Sequence, residues 1–243
     1  NDIFVMKYDA SGSRQWLTQR GTAGSDYAYA IAVDASGSVF ITGSTTGGFD
    51  GFSNQGAEDV FVTKFTSEGA FQWTRQFGTS GQDVGKAIAV DGAFVYVAGF
   101  ANGNLGVGGY MGGRDFVLVK YNSAGDLQWM KQFGSIGHEY VTGIAVAGDG
   151  NVYITGYTSG QIDGNPNTGL YDIFLASYDS SGNYRWTRQL GTIGTEEAYG
   201  VAVGSGGEVF VTGMNNNGLD GNSYVGGTDV FLVSYDSQGT KKW

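Results

Sequence analysis

The residues best suited to chemistry in this sequence are carboxylates that recur at equivalent positions. Asp50, Asp163 and Asp220 each precede a glycine in a loop rich in Gly and Asn. Forming a turn is the commoner role of such an Asp. The sharper alternative is Ca²⁺, which takes six to eight oxygen ligands. Because the loop at 163–167 alternates oxygen side chains, we name Asp50, Asp163, Asn165, Asn167 and Asp220 as candidate calcium ligands.

A second set of carboxylates recurs where a strand rich in Ala and Val begins. Its members are Asp26, Asp83, Glu139 and Glu196. In a closed repeat structure they form a ring near the mouth of a central channel. Like charges that lie close together raise one another's pKa unless solvent or a cation separates them. We expect solvated acids here, with a site for a cation or a basic partner as the alternative.

A third set of acids lies at the first position of another strand. The aromatic residues are candidates for packing between repeats and for contact with a ligand. Asp2, Asp59, Asp115, Asp172 and Asp229 are predicted to accept backbone N–H groups from the preceding loop, and a metal role is the alternative. The recurrent Trp residues are predicted to pack between repeats. Tyr110 and Tyr224 lie in the Gly- and Asn-rich loops and are candidate contacts for a ligand.

Catalysis has little support in the sequence. His138 is the only histidine, and the chain has no cysteine, which excludes thiolate nucleophiles, disulfides and Cys-ligated zinc. No Gly-x-Ser-x-Gly elbow or phosphate-binding loop is present. Paired carboxylates could serve a glycosidase, but the acids recur with the repeat, as duplication alone would produce. We therefore predict no enzymatic activity.

The elements that position these residues follow from an internal repeat of about 57 residues. The segment that begins with Asp2 recurs at Asp59, Asp115, Asp172 and Asp229, and a Trp keeps the same step. Each unit contains four short strands separated by Gly turns, which predicts an all-β propeller of four-stranded antiparallel blades. The small residues of the Ala strand predict that it is innermost, and the polar Trp strand is predicted to be outermost.

The repeat also predicts the domain organisation. Residues 1–243 form a single propeller with units 2–58, 59–114, 115–171, 172–228 and the partial unit 229–243. Strand order makes this four complete blades and an opening half-blade that lacks its inner strands. We expect the segment to belong to a larger propeller. An unpaired edge favours association, so self-association through the half-blade is a further prediction.

Three linked patterns carry a family resemblance across nearly the whole chain. They are Gly-x-x-x-x-[Asp/Glu], Ala-Val-Asp-x-x-Gly-x-Val-[Phe/Tyr]-[Val/Ile]-Thr-Gly, and Asp-[Val/Ile]-Phe-[Val/Leu]-x-Lys-Tyr-Asp-x-x-Gly-x-x-x-Trp. Together they resemble the bacterial β-propeller repeats called SBBP. The later units depart from the pattern, with Ser177 and Ser234 in place of Lys. The resemblance implies a scaffold in a bacterial surface or secreted protein, usually without an assigned activity.

Charge narrows the possible partners. The net charge of −10 disfavours binding to nucleic acid or to an anionic membrane. No apolar run approaches the ~20 residues that a membrane-spanning helix needs. Together with the family resemblance, this predicts an extracellular adhesion or interaction module that binds a protein partner through an acidic long-loop face, either without a cofactor or with Ca²⁺. A lectin-like glycan binder is the alternative, and a carbohydrate-active or lyase enzyme is third.

Overall fold

The computed structural model describes residues 1–243 and contains seventeen strands, all paired antiparallel. Strands β1 (Ile3–Tyr8) and β2 (Arg14–Arg20) form a two-stranded half-blade. Blade 1 contains β3 (Asp26–Val33), β4 (Val39–Thr45), β5 (Asp59–Phe65) and β6 (Phe71–Phe77). Blade 2 contains β7 (Asp83–Asp91), β8 (Phe94–Ala101), β9 (Asp115–Asn122) and β10 (Leu127–Phe133). Blade 3 contains β11 (Glu139–Val146), β12 (Val152–Thr158), β13 (Asp172–Tyr178) and β14 (Tyr184–Leu190). Blade 4 contains β15 (Glu196–Val203), β16 (Val209–Asn215) and β17 (Asp229–Tyr235).

The strand order in each blade confirms the order expected from side-chain size. In blades 1 to 3 the Ala strand comes first and the Trp strand last. The Ala strands β3, β7, β11 and β15 pack against one another in sequence, which places them innermost. Blade 4 differs in its outer edge, where an isolated bridge between Tyr235 and Lys241 stands in place of a full fourth strand.

Tight hairpins connect successive strands at one end of each blade. Asp9 Oδ1 accepts the backbone N–H groups of Ser11 and Ser13, both at 2.9 Å, and Gly12 adopts φ of 80°. The same arrangement recurs at Asp34, Asp179 and Asp236. The side chain thus satisfies donors that a two-strand ladder leaves free, as an Asx turn does.

The hydrophobic core is divided into four clusters, one between each pair of neighbouring sheets. The cluster between blades 1 and 2, for example, packs Val60 and Val62 of β5 against Val95 and Val97 of β8. The central strands are buried on both faces, as β13 shows along its whole length. That burial explains why these strands lack polar alternation. The sheets form an open arc and do not close into a ring. No helix has the length and apolar character that crossing a membrane would require.

Candidate functional site at the long-loop face

The two ends of the blades differ in their connections. The hairpin face carries the short turns within each repeat, such as residues 9–13 and 34–38. The opposite end, the long-loop face, carries the loops 46–58, 102–114, 159–171 and 216–228 and the shorter loops 21–25, 78–82, 134–138 and 191–195. All candidate site residues of the sequence analysis lie on the long-loop face. This face is therefore the one to examine for a binding site.

The expected ring of solvated acids is wrong. Asp26 is 2% exposed, and Asp83, Glu139 and Glu196 are 0% exposed. Each carboxylate accepts the backbone N–H of the residue four positions earlier, which is Thr or Ser in every case. The acceptors and donors are Asp26 with Thr22, Asp83 with Thr79, Glu139 with Ser135 and Glu196 with Thr192. Loop N–H and hydroxyl groups thus replace water around these acids, which hold the loops in place.

The strand-opening Asp residues act as the predicted caps. Asp115 Oδ2 accepts the N–H of Met111 at 2.9 Å, and Asp172 Oδ2 accepts that of Thr168 at 2.9 Å. Asp59 and Asp229 accept loop N–H groups in the same way. A carboxylate that accepts several N–H groups fixes the loop that precedes its strand.

At two junctions a cap and a member of the former ring both lie close to the same glycine, which is Gly78 in one case and Gly134 in the other. A Cβ on Gly134 would lie 2.2 Å from Glu139 Oε2 and 2.7 Å from Asp115 Oδ1. Burial, together with the nearby Glu139 carboxylate, raises the pKa of Asp115 to about 7. Burial likewise raises the pKa of Glu139. Asp115 Oδ1 has no hydrogen-bond partner, whereas its equivalent Asp59 receives the amide of Gln76 at 3.0 Å.

The candidate calcium residues take the conformation of turn formers. Asp50, Asp163 and Asp220 have φ of 48°, 50° and 56°, in the left-handed region that short polar residues tolerate. Asp50 pairs with Arg20, Asp220 with Lys241, and Asp163 accepts the hydroxyl of Tyr184.

The amide groups of the same loops are also engaged within the protein. Asn165 Nδ2 donates to the carbonyl of Ile162 at 3.0 Å, and Asn167 Nδ2 donates to that of Gly169 at 3.1 Å. The three Asp residues lie in loops of different blades, and no group of three or more His, Cys, Asp or Glu gathers anywhere in the chain. Calcium binding stays a prediction that the geometry does not strengthen.

Tyr110 and Tyr224 are exposed on the long loops of blades 2 and 4, as the sequence predicts. The hydroxyl of Tyr224 donates to the carbonyl of Gly227 at 2.6 Å, which leaves its ring available at the surface. The two rings lie in different loops and do not form one site.

A concave site that the sequence analysis missed lies where the inner strands of blades 1 to 3 meet the long-loop face. This central pocket has a volume of about 430 Å³. Its lining residues are Tyr29, Gln82, Val84, Lys86, Phe100, Tyr140, Val141, Thr142 and Tyr157. Ligand sites of this size are typically concave and mostly apolar, with a few polar groups that fix orientation.

The aromatic wall of the central pocket extends beyond its lining. The rings of Tyr140 and Tyr157 stack with centroids 4.9 Å apart, and Tyr171 packs edge-on against Tyr157 at 5.3 Å. Phe100 packs edge-on against Tyr140 at 6.0 Å. Aromatic rings arranged in this way hold one another in place. The pocket therefore has a fixed aromatic surface beside its polar groups.

Two cations border the central pocket without an ion-pair partner. Arg114 donates from Nη1 to the Tyr140 hydroxyl at 2.7 Å and from Nη2 to Gln82 Oε1 at 2.9 Å. Lys86 Nζ lies 3.6 Å from the centroid of the Tyr29 ring, and burial lowers the pKa of Lys86. The three ion pairs of the chain involve other residues. Lys86 and Arg114 thus place two cations without ion pairs beside the aromatic wall of this site.

A signal for the central pocket does exist in the sequence. The position of Lys86 is occupied by Tyr29, Thr142 and Tyr199 in the other units. The position of Arg114 is occupied by Glu58 in unit 2–58 and by Tyr171 in unit 115–171. These positions vary between repeats that otherwise agree closely. Variation within a repeated frame would have pointed to the pocket.

Three segments of the chain match the family model for the SBBP beta-propeller repeat, at residues 15–50, 72–106 and 128–162. A regulatory protein of Caulobacter vibrioides, FlaEY, is 28% identical over a gapped alignment of 271 positions that covers 96% of this chain. The chain spans 28% of that relative's length. A WD repeat-containing protein of Acanthamoeba polyphaga mimivirus, L264, is 26% identical over 56% of the chain and 12% of its own length.

Solved structures with a similar arrangement of strands are more distant in sequence. The sialidase of Trypanosoma rangeli in complex with sialic acid is 13% identical, with a TM-score of 0.48 over 98% of this chain and 40% of the sialidase. A PL25 ulvan lyase is 12% identical, with a TM-score of 0.45 over 91% of this chain and 57% of the lyase. The internal period, the four-stranded antiparallel sheets and the three matched segments agree. Three segments of the chain are therefore identified as SBBP beta-propeller repeats.

Proposed function

We propose that this chain is a non-catalytic propeller scaffold of a bacterial surface or secreted protein, and that it binds a protein partner through its long-loop face. The observation that carries the proposal is the central pocket. It is concave, aromatic and bordered by two cations, and the positions of Lys86 and Arg114 beside it are occupied by different residues in the other repeats.

The carboxylates support a role without catalysis. The four acids of the former ring are buried and hydrogen-bonded to loop N–H groups. A general acid or base must reach the atom from which it takes a proton or to which it gives one. His138 Nδ1 accepts the backbone N–H of Arg114 at 3.1 Å, so this ring nitrogen is engaged within the protein. The name of the bacterial relative, a regulatory protein, is compatible with a binding role.

A photo-crosslinking experiment in the source organism tests the scaffold proposal. A photoreactive amino acid at Tyr110 should capture one partner on the long-loop face, at the outer surface of the cell. The matched control places the same group at Ser11 on the hairpin face, where no specific product is expected. Equal capture from both positions, or capture only inside the cell, would contradict the proposal.

A lectin-like function is the second candidate, because stacking aromatic residues suit a sugar ring. Tyr140 and Tyr157 line the central pocket, and Tyr110 and Tyr224 add exposed rings. A glycan array separates the two candidates. Binding that is lost in Tyr140→Ala but kept in Tyr110→Phe would favour the lectin, and a blank array would count against it.

Calcium dependence is tested separately by following the melting temperature in Ca²⁺ and in EDTA. A ligand that binds only the folded state raises the melting temperature with its concentration. The Asp163→Asn variant should lose any such shift, and Asp9→Asn on the hairpin face should keep it. A melting temperature that Ca²⁺ leaves unchanged removes the metal from the proposal.

A further inference from the structure

The central pocket presents hydrogen-bond donors and positive charge to a ligand. Lys86 Nζ has no ion-pair partner and lies 3.6 Å from the centroid of the Tyr29 ring. Arg114 uses two of its N–H groups on Tyr140 and Gln82, and a guanidinium has five. Burial raises the pKa of Tyr157 to about 12, so its hydroxyl keeps a proton to donate at neutral pH.

The other polar side chains of the central pocket are engaged within the protein. Gln82 accepts from Arg114 at 2.9 Å through Oε1 and donates from Nε2 to Glu58 Oε1 at 3.1 Å. The Thr142 hydroxyl donates to the carbonyl of Ala198 at 2.7 Å. The ligand group that suits the remaining donors is one that only accepts and is negatively charged. An ionised carboxylate is the group of this kind that proteins carry.

The apolar part of the pocket requires more than a carboxylate. Six of its nine lining residues are hydrophobic, and the volume of about 430 Å³ exceeds what a carboxylate alone occupies. The stacked rings of Tyr140 and Tyr157 and the edge of Phe100 provide a flat apolar surface. An Asp or Glu side chain has no large apolar group beside its carboxylate. A C-terminal residue with a large apolar side chain carries both on the same carbon.

The cationic part of the pocket is held rigidly between blades 2 and 3, each of which has a neighbouring blade on both sides. The backbone carbonyl of Arg114 accepts the N–H of Glu139 at 2.7 Å, and its N–H donates to His138 Nδ1 at 3.1 Å. The Arg114 guanidinium lies 5.1 Å from the centroid of the Phe100 ring. A site that is ordered before binding loses less entropy when the ligand enters.

Two acids near the pocket oppose an anionic ligand. Glu58 raises the pKa of Lys86, although burial lowers it by more. Glu197 accepts the hydroxyl of Tyr199 at 2.8 Å and helps to raise the pKa of Tyr157. Neither acid forms an ion pair with Lys86 or Arg114. Removing the charge of Glu58 should therefore strengthen the binding of a carboxylate.

We propose that the central pocket binds the C-terminal residue of a protein partner. The terminal carboxylate contacts Lys86 and Arg114, and the apolar side chain packs on the rings of Tyr140 and Tyr157. Hydrogen bonds between charged groups are stronger than neutral ones, and capture of a C-terminal carboxylate is a recurring mode of peptide recognition. The inference rests on the function proposed above, because it names the part of the protein partner that enters the pocket.

Calorimetric titration with an acetylated tripeptide that ends in Phe tests this inference. The same peptide with a C-terminal amide is the comparison, and the free acid should bind at least about tenfold more tightly. Lys86→Met should weaken the free acid to the level of the amide and leave the amide unchanged. Lys86→Arg should keep the preference for the acid, and Glu58→Gln should increase it.

A charge control and a sugar control complete the test. Lys131→Met removes the same charge from the outer strand β10, away from the pocket, and should bind both peptides like the wild type. Circular dichroism should show that every variant keeps the wild-type fold.

Equal affinity for acid and amide, no binding of either, or a preference that survives Lys86→Met would overturn the inference. So would binding of glucuronate in place of the peptide, which would assign the carboxylate to a sugar. Capture of a protein partner at Tyr110 together with any of these results would overturn the C-terminal carboxylate alone. Absence of a captured partner contradicts the proposed function itself.

Discussion

The hairpin face and the central pocket follow opposite rules within the same blades. On the hairpin face, the indole N–H of a Trp in one sheet donates to a hairpin carbonyl of the next sheet. This hydrogen bond recurs at four junctions, with N···O distances of 2.9 to 3.2 Å. In the central pocket, equivalent positions hold different residues, as Lys86, Tyr29 and Thr142 show. Duplication retains what every junction needs for stability. A local departure from the repeat therefore marks the part of a repeat protein where function is to be sought.

The largest loss of stability should come from removing a buried Trp that joins two sheets. Trp186→Ala loses a ring that is 7% exposed, together with its hydrogen bond to Ser237. We expect the free energy of unfolding to fall by about 3–5 kcal/mol in urea titration. Trp243→Ala is the matched control at the exposed end and should cost about 0.5 kcal/mol at a concentration where the chain is monomeric. If both variants lost the same free energy of unfolding, the hydrogen-bonded Trp186 would not stabilise the fold more than the exposed Trp243.

The next largest loss of stability is expected for Glu196→Ala, which tests whether Asp26, Asp83, Glu139 and Glu196 have a structural role. Glu196→Ala leaves the backbone N–H and the hydroxyl of Thr192 without their acceptor. A buried donor without a partner costs about 1–3 kcal/mol, so the melting temperature should drop clearly. Glu197→Ala changes the adjacent, partly exposed acid and should cost about 0.5 kcal/mol. If Glu197→Ala proved the more damaging, the structural role of the ring would be wrong.

A pH profile addresses the buried pair of Asp115 and Glu139. Burial raises the pKa of Asp115 from 3.8 to about 7 in the folded state, so the folded protein binds this proton more tightly than the unfolded chain. The resulting stability is complete below pH 3.8 and is lost as the pH rises through about 7. Asp115→Asn lacks this loss and should melt above the wild type at pH 8 but not at pH 4.

A matched variant serves as the control for the pH profile. Asp172 Oδ2 receives the amide of Gln189 at 3.3 Å, whereas Asp115 Oδ1 has no partner. Asp172→Asn should therefore give no gain in melting temperature at pH 8. Parallel profiles for the wild type and Asp115→Asn would show that Asp115 does not hold its proton in the folded state.

The smallest effect on stability is expected in the central pocket. Lys86 has no ion-pair partner, and burial disfavours its charge, so Lys86→Ala should change the free energy of unfolding by about 0.5 kcal/mol or less. Lys64→Ala is the matched control, because Lys64 Nζ donates across a junction to the Ser123 carbonyl at 3.0 Å. Its loss should cost about 1 kcal/mol. If Lys86→Ala lowered the free energy of unfolding more than Lys64→Ala, the role of Lys86 would be structural.

The sequence predicts the fold well because the same pattern of strands and turns recurs in every unit. The Ala strands are innermost and the Trp residues pack between sheets, as strand composition indicates. Burial of Asp26 and its equivalents could not be read from charge and spacing. It depends on Thr22 and its equivalents, whose N–H and hydroxyl groups replace water. The Thr or Ser that precedes each of these acids by four residues was the overlooked signal.

The central pocket was harder to predict for a different reason. Its walls come from three blades, and neighbours such as Tyr29 and Lys86 are 57 residues apart in sequence. Aligning the units groups Tyr29 with Lys86 as equivalents and hides that they are partners in space. Variation among the aligned units marks these positions, but the pocket that they form follows only from the rotation between one blade and the next.

Capture of the partner by a double variant tests the division between scaffold and pocket most directly. The crosslinker at Tyr110 is placed in the wild-type chain, in Lys86→Ala with Arg114→Ala, and in Lys64→Ala. We predict that the pocket variant stays folded at the temperature of the experiment but loses the crosslinked partner, and that Lys64→Ala, which also stays folded, keeps the partner. Retained capture by the pocket variant, or a loss of capture that follows a loss of folding, would contradict the account.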